Sequence, residues 1–159
     1  MTLDEFLRVG ETVDIGTHTF DPESIKAFAR KYDPQPFHVD AELAKQSVFG
    51  GLCASGWHTA AAWMKCNIET EAVTPAWQGP GPKPEFGPSP GFREMRWLKP
   101  VYAGDTISYA SEVADKRLSQ SRPRWGLIQV YNTGTNQNGE LVMSFKSSAF
   151  VERRSDTLA

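Results

Sequence analysis

Asp33 and His38 stand five residues apart in the run Asp33-Pro34-Gln35-Pro36-Phe37-His38. Fully extended, five residues span up to about 17 Å, so the two side chains can cooperate only if the loop curls. Held close, a carboxylate and an imidazole divide proton-transfer work: one activates water while the other moves a proton. The same spacing also fits a simpler arrangement, in which Asp33 caps a helix and His38 hydrogen-bonds locally. A second candidate is Gly50-Gly51-Leu52-Cys53-Ala54-Ser55-Gly56. At a helix start, its free backbone N–H groups and the positive dipole end would favour a developing oxyanion. Loss of one such donor costs about 10²–10³ in rate. Glycines required for close packing against a sheet explain the pattern equally well. It is not a phosphate loop, because no Gly-Lys-Ser/Thr follows. Nor is Ser55 in a Gly-x-Ser-x-Gly elbow, because position 53 is Cys.

The remaining reactive residues read as structural. His58, on the same helix as Ser55, is expected to be partly buried and hydrogen-bonded, and His18, in a strand, to lie at the surface. Cys53 and Cys66, if on one helix, are about 20 Å apart, beyond the roughly 7 Å that a disulfide tolerates. No Cys-x-x-Cys or close His pair suggests zinc, and the two cysteines read as core filler. Lys116, Arg117, Arg122 and Arg124 cluster near one hairpin, as a solvated face or as a grip on the phosphates of a carrier molecule.

Several local signals place these residues. Residues 12–20 form a strand, or a short hairpin around Gly16. Asp21-Pro22 starts a helix, with Asp21 as N-cap, and Ile25, Phe28, Ala29 and Tyr32 make its apolar face. Pro34 stops it near Tyr32, and residues 33–38 continue as a stiff, extended or turned loop. Asp40 caps a short helix through Lys45. A longer, buried helix runs from just after Gly50-Gly51 to about Ile68, with Cys53, Trp57, Ala60, Ala61, Met64 and Ile68 as its stripe. Residues 75–91 hold six prolines and four glycines. This long loop is a decorative insertion, a lid or a dimer-packing segment, with Trp77 and Phe86 as anchors. Beyond it the chain reads as strands: 92–98, then alternation at Ile107, Tyr109, Ser111 and Val113, then 126–133. Asn138-Gly139 marks a hairpin into Leu141, Met143, Phe145, Ser147, Ala149 and Val151. Helices followed by consecutive strands make an α+β domain, an antiparallel sheet wrapped around a buried helix.

The composition agrees with one domain spanning residues 1–159. Of the 159 residues 40% are hydrophobic, enough for a core without metal or disulfide staples. Seventeen basic residues against nineteen acidic ones leave a net charge of −2, which disfavours nucleic acid as a partner. The N-terminal ten residues lack the apolar run of a signal peptide. Residues 46–64 carry no Asp, Glu, Lys or Arg but are too polar for lipid. The expectation is a soluble, cytoplasmic protein without a membrane partner.

Together, Tyr32-Asp33-Pro34-Gln35-Pro36-Phe37-His38-Val39-Asp40 and Phe49-Gly50-Gly51-Leu52-Cys53-Ala54-Ser55-Gly56 resemble the MaoC-like dehydratases, which include the (R)-specific enoyl-CoA hydratases. That family's signature reads Asp-x-Asn-Pro-x-His followed by a Gly-rich helix start. Arg96-Trp97-Leu98-Lys99-Pro100 with Gly104-Asp105-Thr106 resembles its later strands. The resemblance implies a hotdog fold, a long helix wrapped by an antiparallel sheet. It implies that Asp33 and His38 activate water and exchange a proton with the α-carbon of an enoyl thioester. Ser55 would support them, and the Gly56 N–H would hold the thioester oxygen. It further implies a hydro-lyase acting on an acyl-CoA substrate in fatty acid metabolism, with no cofactor and no metal, CoA being the carrier. Family members commonly dimerise by joining two sheets, so a homodimer or higher homo-oligomer is expected. Gln35, where the family has Asn, and the insertion 75–91 depart from the pattern. A thioesterase on the same fold, and a non-catalytic acyl-thioester-binding subunit, are the alternatives.

Overall fold

The computed structural model describes residues 1–73 and 76–154. Five helices come first or interleave with one strand: α1 (Leu3–Leu7), β1 (Thr12–Thr19), α2 (Pro22–Tyr32), α3 (Pro36–Val39), α4 (Ala41–Gln46) and α5 (Gly56–Val73). Four strands follow: β2 (Gly91–Trp97), β3 (Thr106–Leu118), β4 (Trp125–Thr135) and β5 (Leu141–Glu152). The sheet order is β1-β3-β4-β5-β2, every neighbouring pair antiparallel. With α5 packed against this sheet, the fold is the hotdog that the sequence suggests.

Local chemistry explains most boundaries. Asp21 accepts from the Ser24 N–H and Pro22 fills the first helical position, so α2 begins as expected. Asp40 accepts from Glu42 and Leu43 N–H groups and starts α4. Residues 12–19 make one strand and no hairpin; Gly16, at φ +117°, forms a bulge whose N–H is held by Asp14 Oδ1 at 2.8 Å. Only glycine takes that backbone geometry without strain. Within the expected loop, Pro36–Val39 forms a helical turn that begins at a proline, where a missing N–H costs nothing.

The long helix differs from its sequence reading in two respects. It starts at Gly56, not after Gly51, because residues 51–55 spend their backbone groups elsewhere. Cys53 N–H donates to Phe37 O, Ala54 N–H to Val101 O, and Leu52 O accepts from Ala103 N–H. Cys53 therefore lies outside the helix, and both cysteines are free. The helix is also buried on another face. Thr59, Ala62, Trp63 and Cys66 are buried, whereas Trp57, Met64 and Ile68 of the expected stripe are about half exposed (52%, 50% and 55%). A helix that is apolar nearly all round carries no moment to choose its inner face; contacts across the sheet choose it. Tyr109 Oη donates to Thr59 O at 2.8 Å, Thr70 Oγ1 to Ile15 O at 2.8 Å, and Trp63 packs edge-on against Phe145.

Of the insertion, Pro75 lies outside the described residues. Glu85 and Gly87 exchange backbone hydrogen bonds with Glu152 and Phe150, and Phe86 bridges to Val151, so this stretch extends the β2 edge along β5. Trp77 packs edge-on against Phe6 of α1.

His18 and His58 are not as expected. His18 packs against Phe20, and its ring centroid lies 6.1 Å from that of His58, which is buried and stacked on Phe28 of α2. Among the described residues, His18 Nε2 and His58 Nδ1 meet no hydrogen-bond partner. Burial first, and then the proximity of His18, push the His58 pKa from 6.5 down to about 4, against the weaker opposing pull of Asp21. The unfolded chain thus binds protons more readily than the folded one between pH 6.5 and 4. Stability present above pH 6.5 is lost as pH falls through that window. Thermal unfolding should show a loss on the order of 1–3 kcal/mol between pH 7 and 4, and His58→Phe should flatten the slope; equal slopes would remove His58 as its source.

Candidate active site

Asp33 ends α2, where its N–H bonds to Ala29 O at 2.8 Å and its backbone leaves helical geometry. The turn α3 then brings His38 back toward it: His38 N–H donates to Gln35 O at 3.0 Å, and the ring is buried. The curl required by their spacing is therefore present, and His38 Nε2 lies 3.4 Å from Asp33 Oδ2. Asp33 caps the helix and faces the histidine at once. Ser55 joins them from the segment before α5. Fully buried, its Oγ donates to Asp33 Oδ2 at 2.7 Å and accepts from Trp57 N–H at 3.3 Å.

Two further groups complete the arrangement: Gln35, which the sequence marks only as standing where the family has Asn, and a backbone carbonyl, which leaves no signal in the sequence. Gln35 Nε2 donates to Asp33 Oδ1 at 2.8 Å. The Cys53 carbonyl accepts from His38 Nδ1 at 2.7 Å, which fixes the proton on that nitrogen and leaves Nε2 toward Asp33. The Cys53 thiol, 3.7 Å from the same ring, is pushed up to about 11 by burial and by the Asp33 charge, so it stays protonated. Burial alone would raise the Asp33 carboxyl, but hydrogen bonds from Ser55 and Gln35, with the proximity of His38, outweigh it and lower its pKa. Asp33 is therefore an ionised acceptor whose oxygens are already partly engaged.

Asp33, His38 and Gly56 line a cavity of about 530 Å³, walled further by Phe37, Trp57, Trp97 and Val101. Gly56 opens α5, and among the described residues its N–H donates to no protein group. A Cβ at position 56 would lie 2.3 Å from the Trp97 indole, so only glycine lets that ring lie flush against the helix start. A water in the cavity can reach both Asp33 Oδ2 and His38 Nε2, an arrangement suited to general acid–base chemistry. No group of three or more His, Cys, Asp or Glu side chains is gathered as metal ligands would be, among the described residues. None of the insertion's described residues lines this cavity. The basic cluster lies apart from it too: Lys116 pairs with Asp4, Arg124 with Glu85, and Arg122 lies over the Phe150 ring. Among the described residues no helix is long and apolar enough to cross a membrane.

Residues 6–128 match the family described as MaoC like domain. The uncharacterised protein YdeM of Bacillus subtilis is 30% identical over 153 residues, covering 96% of this chain and 100% of that protein. A mesaconyl-CoA hydratase of Cereibacter sphaeroides is 41% identical over 69 residues, which are 43% of this chain and 20% of that enzyme. Among solved structures, the MaoC-like dehydratase of Rhodospirillum rubrum superposes with a TM-score of 0.78 at 37% identity, covering 94% of this chain and 96% of that one.

Removing the Ser55 hydroxyl tests the geometry directly. Ser55→Ala should cost about 1–2 kcal/mol of stability, since it strips a capping acceptor and a donor to a carboxylate. It should also raise the Asp33 pKa in a carboxyl NMR titration. An unmoved Asp33 pKa would mean that the bond does not form in solution.

Proposed function

This chain belongs to the MaoC-like dehydratase family, and from that premise we propose that it adds water to, or removes it from, the α,β double bond of an acyl-CoA thioester. The observation that carries the proposal is the ionised Asp33, held by Ser55 and Gln35 and facing His38 Nε2 across 3.4 Å at the wall of a cavity that Gly56 also lines. In the hydration direction, a water bonded to Asp33 Oδ2 and His38 Nε2 gives up a proton as its oxygen bonds to the β-carbon. The π electrons shift toward the thioester, and the carbonyl oxygen takes up charge against the Gly56 N–H at the positive end of α5. A proton from the Asp33–His38 pair then completes the α-carbon. The protein groups supply the proton transfers and the oxyanion donor, and CoA remains the carrier of the substrate. The mesaconyl-CoA hydratase segment supports an acyl-CoA as the substrate class.

Part of this reading is a homodimer. Strand β2 is an outer edge of the sheet, and Phe92, Trp97 and Leu98 stand exposed along and just beyond it, with Met64 and Ile68 on α5. An open strand edge with an apolar neighbourhood is what a second copy would cover.

The test follows the conjugated absorbance of a short trans-2-enoyl-CoA, with chiral analysis of the product and a thiol assay alongside. Loss of absorbance without release of free thiol is expected. Asp33→Asn and His38→Ala should each lower kcat by about 10²–10⁴ while the fold is kept. Thiol release would replace hydration by thioester hydrolysis, and near-native rates in either variant would remove the assigned pair.

A further inference from the structure

His18 and His58 take no part in the Asp33 site, yet each has a ring nitrogen that the fold leaves without a partner. His18 Nε2 and His58 Nδ1 are shielded from solvent, and among the described residues neither meets a hydrogen-bonding group. His58 is only 9% exposed. A polar atom in such a place costs free energy that a partner normally recovers. The two rings come from different elements, β1 and α5, and their centroids lie 6.1 Å apart with the planes at 67°. Phe20 packs edge-on against both rings, and Phe28 of α2 stacks on His58, so aromatic neighbours fix the pair in place. Two imidazoles that share one zinc ion, with Zn–N bonds near 2.0–2.1 Å, put their centroids about 5–6.5 Å apart, according to the angle at the metal. The observed separation lies in that range. The backbones of β1 and α5 therefore hold the rings at the spacing that one shared ion requires.

We propose that His18 and His58 together bind one zinc ion, which ties β1 to the first turn of α5. Imidazole nitrogen is a donor that suits zinc. Burial is the largest influence on both rings and favours the neutral form, the one that donates to a metal. The Asp21 carboxylate at the start of α2 acts on both rings and favours positive charge there. From α5, Glu69 adds to that pull at His18 and Lys65 opposes it. His18 is only partly buried, which leaves access for the waters that complete a four-coordinate ion. Two protein ligands make this a weaker site than a closed four-ligand one. Bound there, the ion fastens an outer strand of the sheet to α5 two residues beyond Gly56.

The experiment titrates the untagged, chelator-stripped protein with Zn²⁺ alone. Calorimetry should show one ion per chain with a micromolar Kd, and the thermal midpoint should climb with Zn²⁺ concentration, as it does for any ligand of the folded state. X-ray absorption at the zinc edge should count two imidazoles on the ion. His18→Gln and His58→Phe should each abolish the binding, and His38→Ala should keep it. No binding in the wild type, or binding that survives either of the first two substitutions, overturns the proposal. Loss of binding in His38→Ala overturns it too, because the ion would then sit on the Asp33–His38 pair. If His58→Phe does not fold, as judged by its thermal transition, His18→Gln on the more exposed ring and the imidazole count decide. None of these readouts needs turnover, so the hydration reading and the zinc site stand or fall separately.

Discussion

A carboxylate keeps its charge away from bulk water only where protein donors replace the hydration it loses. Asp33, with its side chain 17% exposed, is in that position, and the chain answers with donors from two directions. Ser55 reaches Oδ2 and Gln35 reaches Oδ1. Because the Ser55 hydroxyl also accepts from Trp57 N–H, one oxygen atom ties the carboxylate to the first turn of α5. The end of one helix and the start of another are thus registered through a fully buried hydroxyl. A shift of α5 along its axis would break the cap and strip the carboxylate together.

The rest of the architecture keeps that register. The segment before α5 is clamped on both sides, by Phe37 O from α3 and by Val101 O from the connection between β2 and β3. The body of the helix is fixed to the sheet by Tyr109, whose buried hydroxyl finds the Thr59 carbonyl, and by Trp63 against Phe145. The sheet itself is stiffened across three strands by Asn132, fully buried, which accepts from Ser111 on β3 and donates to Ser147 on β5. Polar groups placed this way act only in one alignment, since each leaves a costly orphan if displaced. Sheet, helix and carboxylate therefore form one chain of constraint that ends at the cavity wall.

What the sequence reveals follows the range over which each interaction acts. Asp21-Pro22, Asp40 and the prolines at 34 and 36 work within four residues, and the structure agrees with each. Alternation identifies β3 and β5 for the same reason, and it brings Ile107, Tyr109, Met143 and Phe145 inside. The inner face of α5 depends on partners far along the chain, and a helix apolar on most sides offers nothing local to reveal it. The pairing of His18 with His58, forty positions apart, is hidden likewise. Cys53 draws notice for its thiol, yet its carbonyl is what orients His38, and backbone groups leave no trace in a string of residue types.

Gln35 shows how a departure from a familiar pattern can be read physically. Its backbone is extended between two prolines, and its N–H already bonds to Asp33 O at 2.8 Å, so the residue is turned toward the carboxylate it serves. The side-chain amide then covers the remaining distance to Oδ1. Asparagine on the same backbone would be shorter by one carbon–carbon bond, about 1.5 Å, and would leave Oδ1 to water. Glutamine occupies Oδ1 with protein, while Oδ2, which accepts from Ser55, is the oxygen that lies 3.4 Å from His38 Nε2. The extra methylene therefore leaves the approach of Asp33 to His38 as it is and covers the other side of the carboxylate.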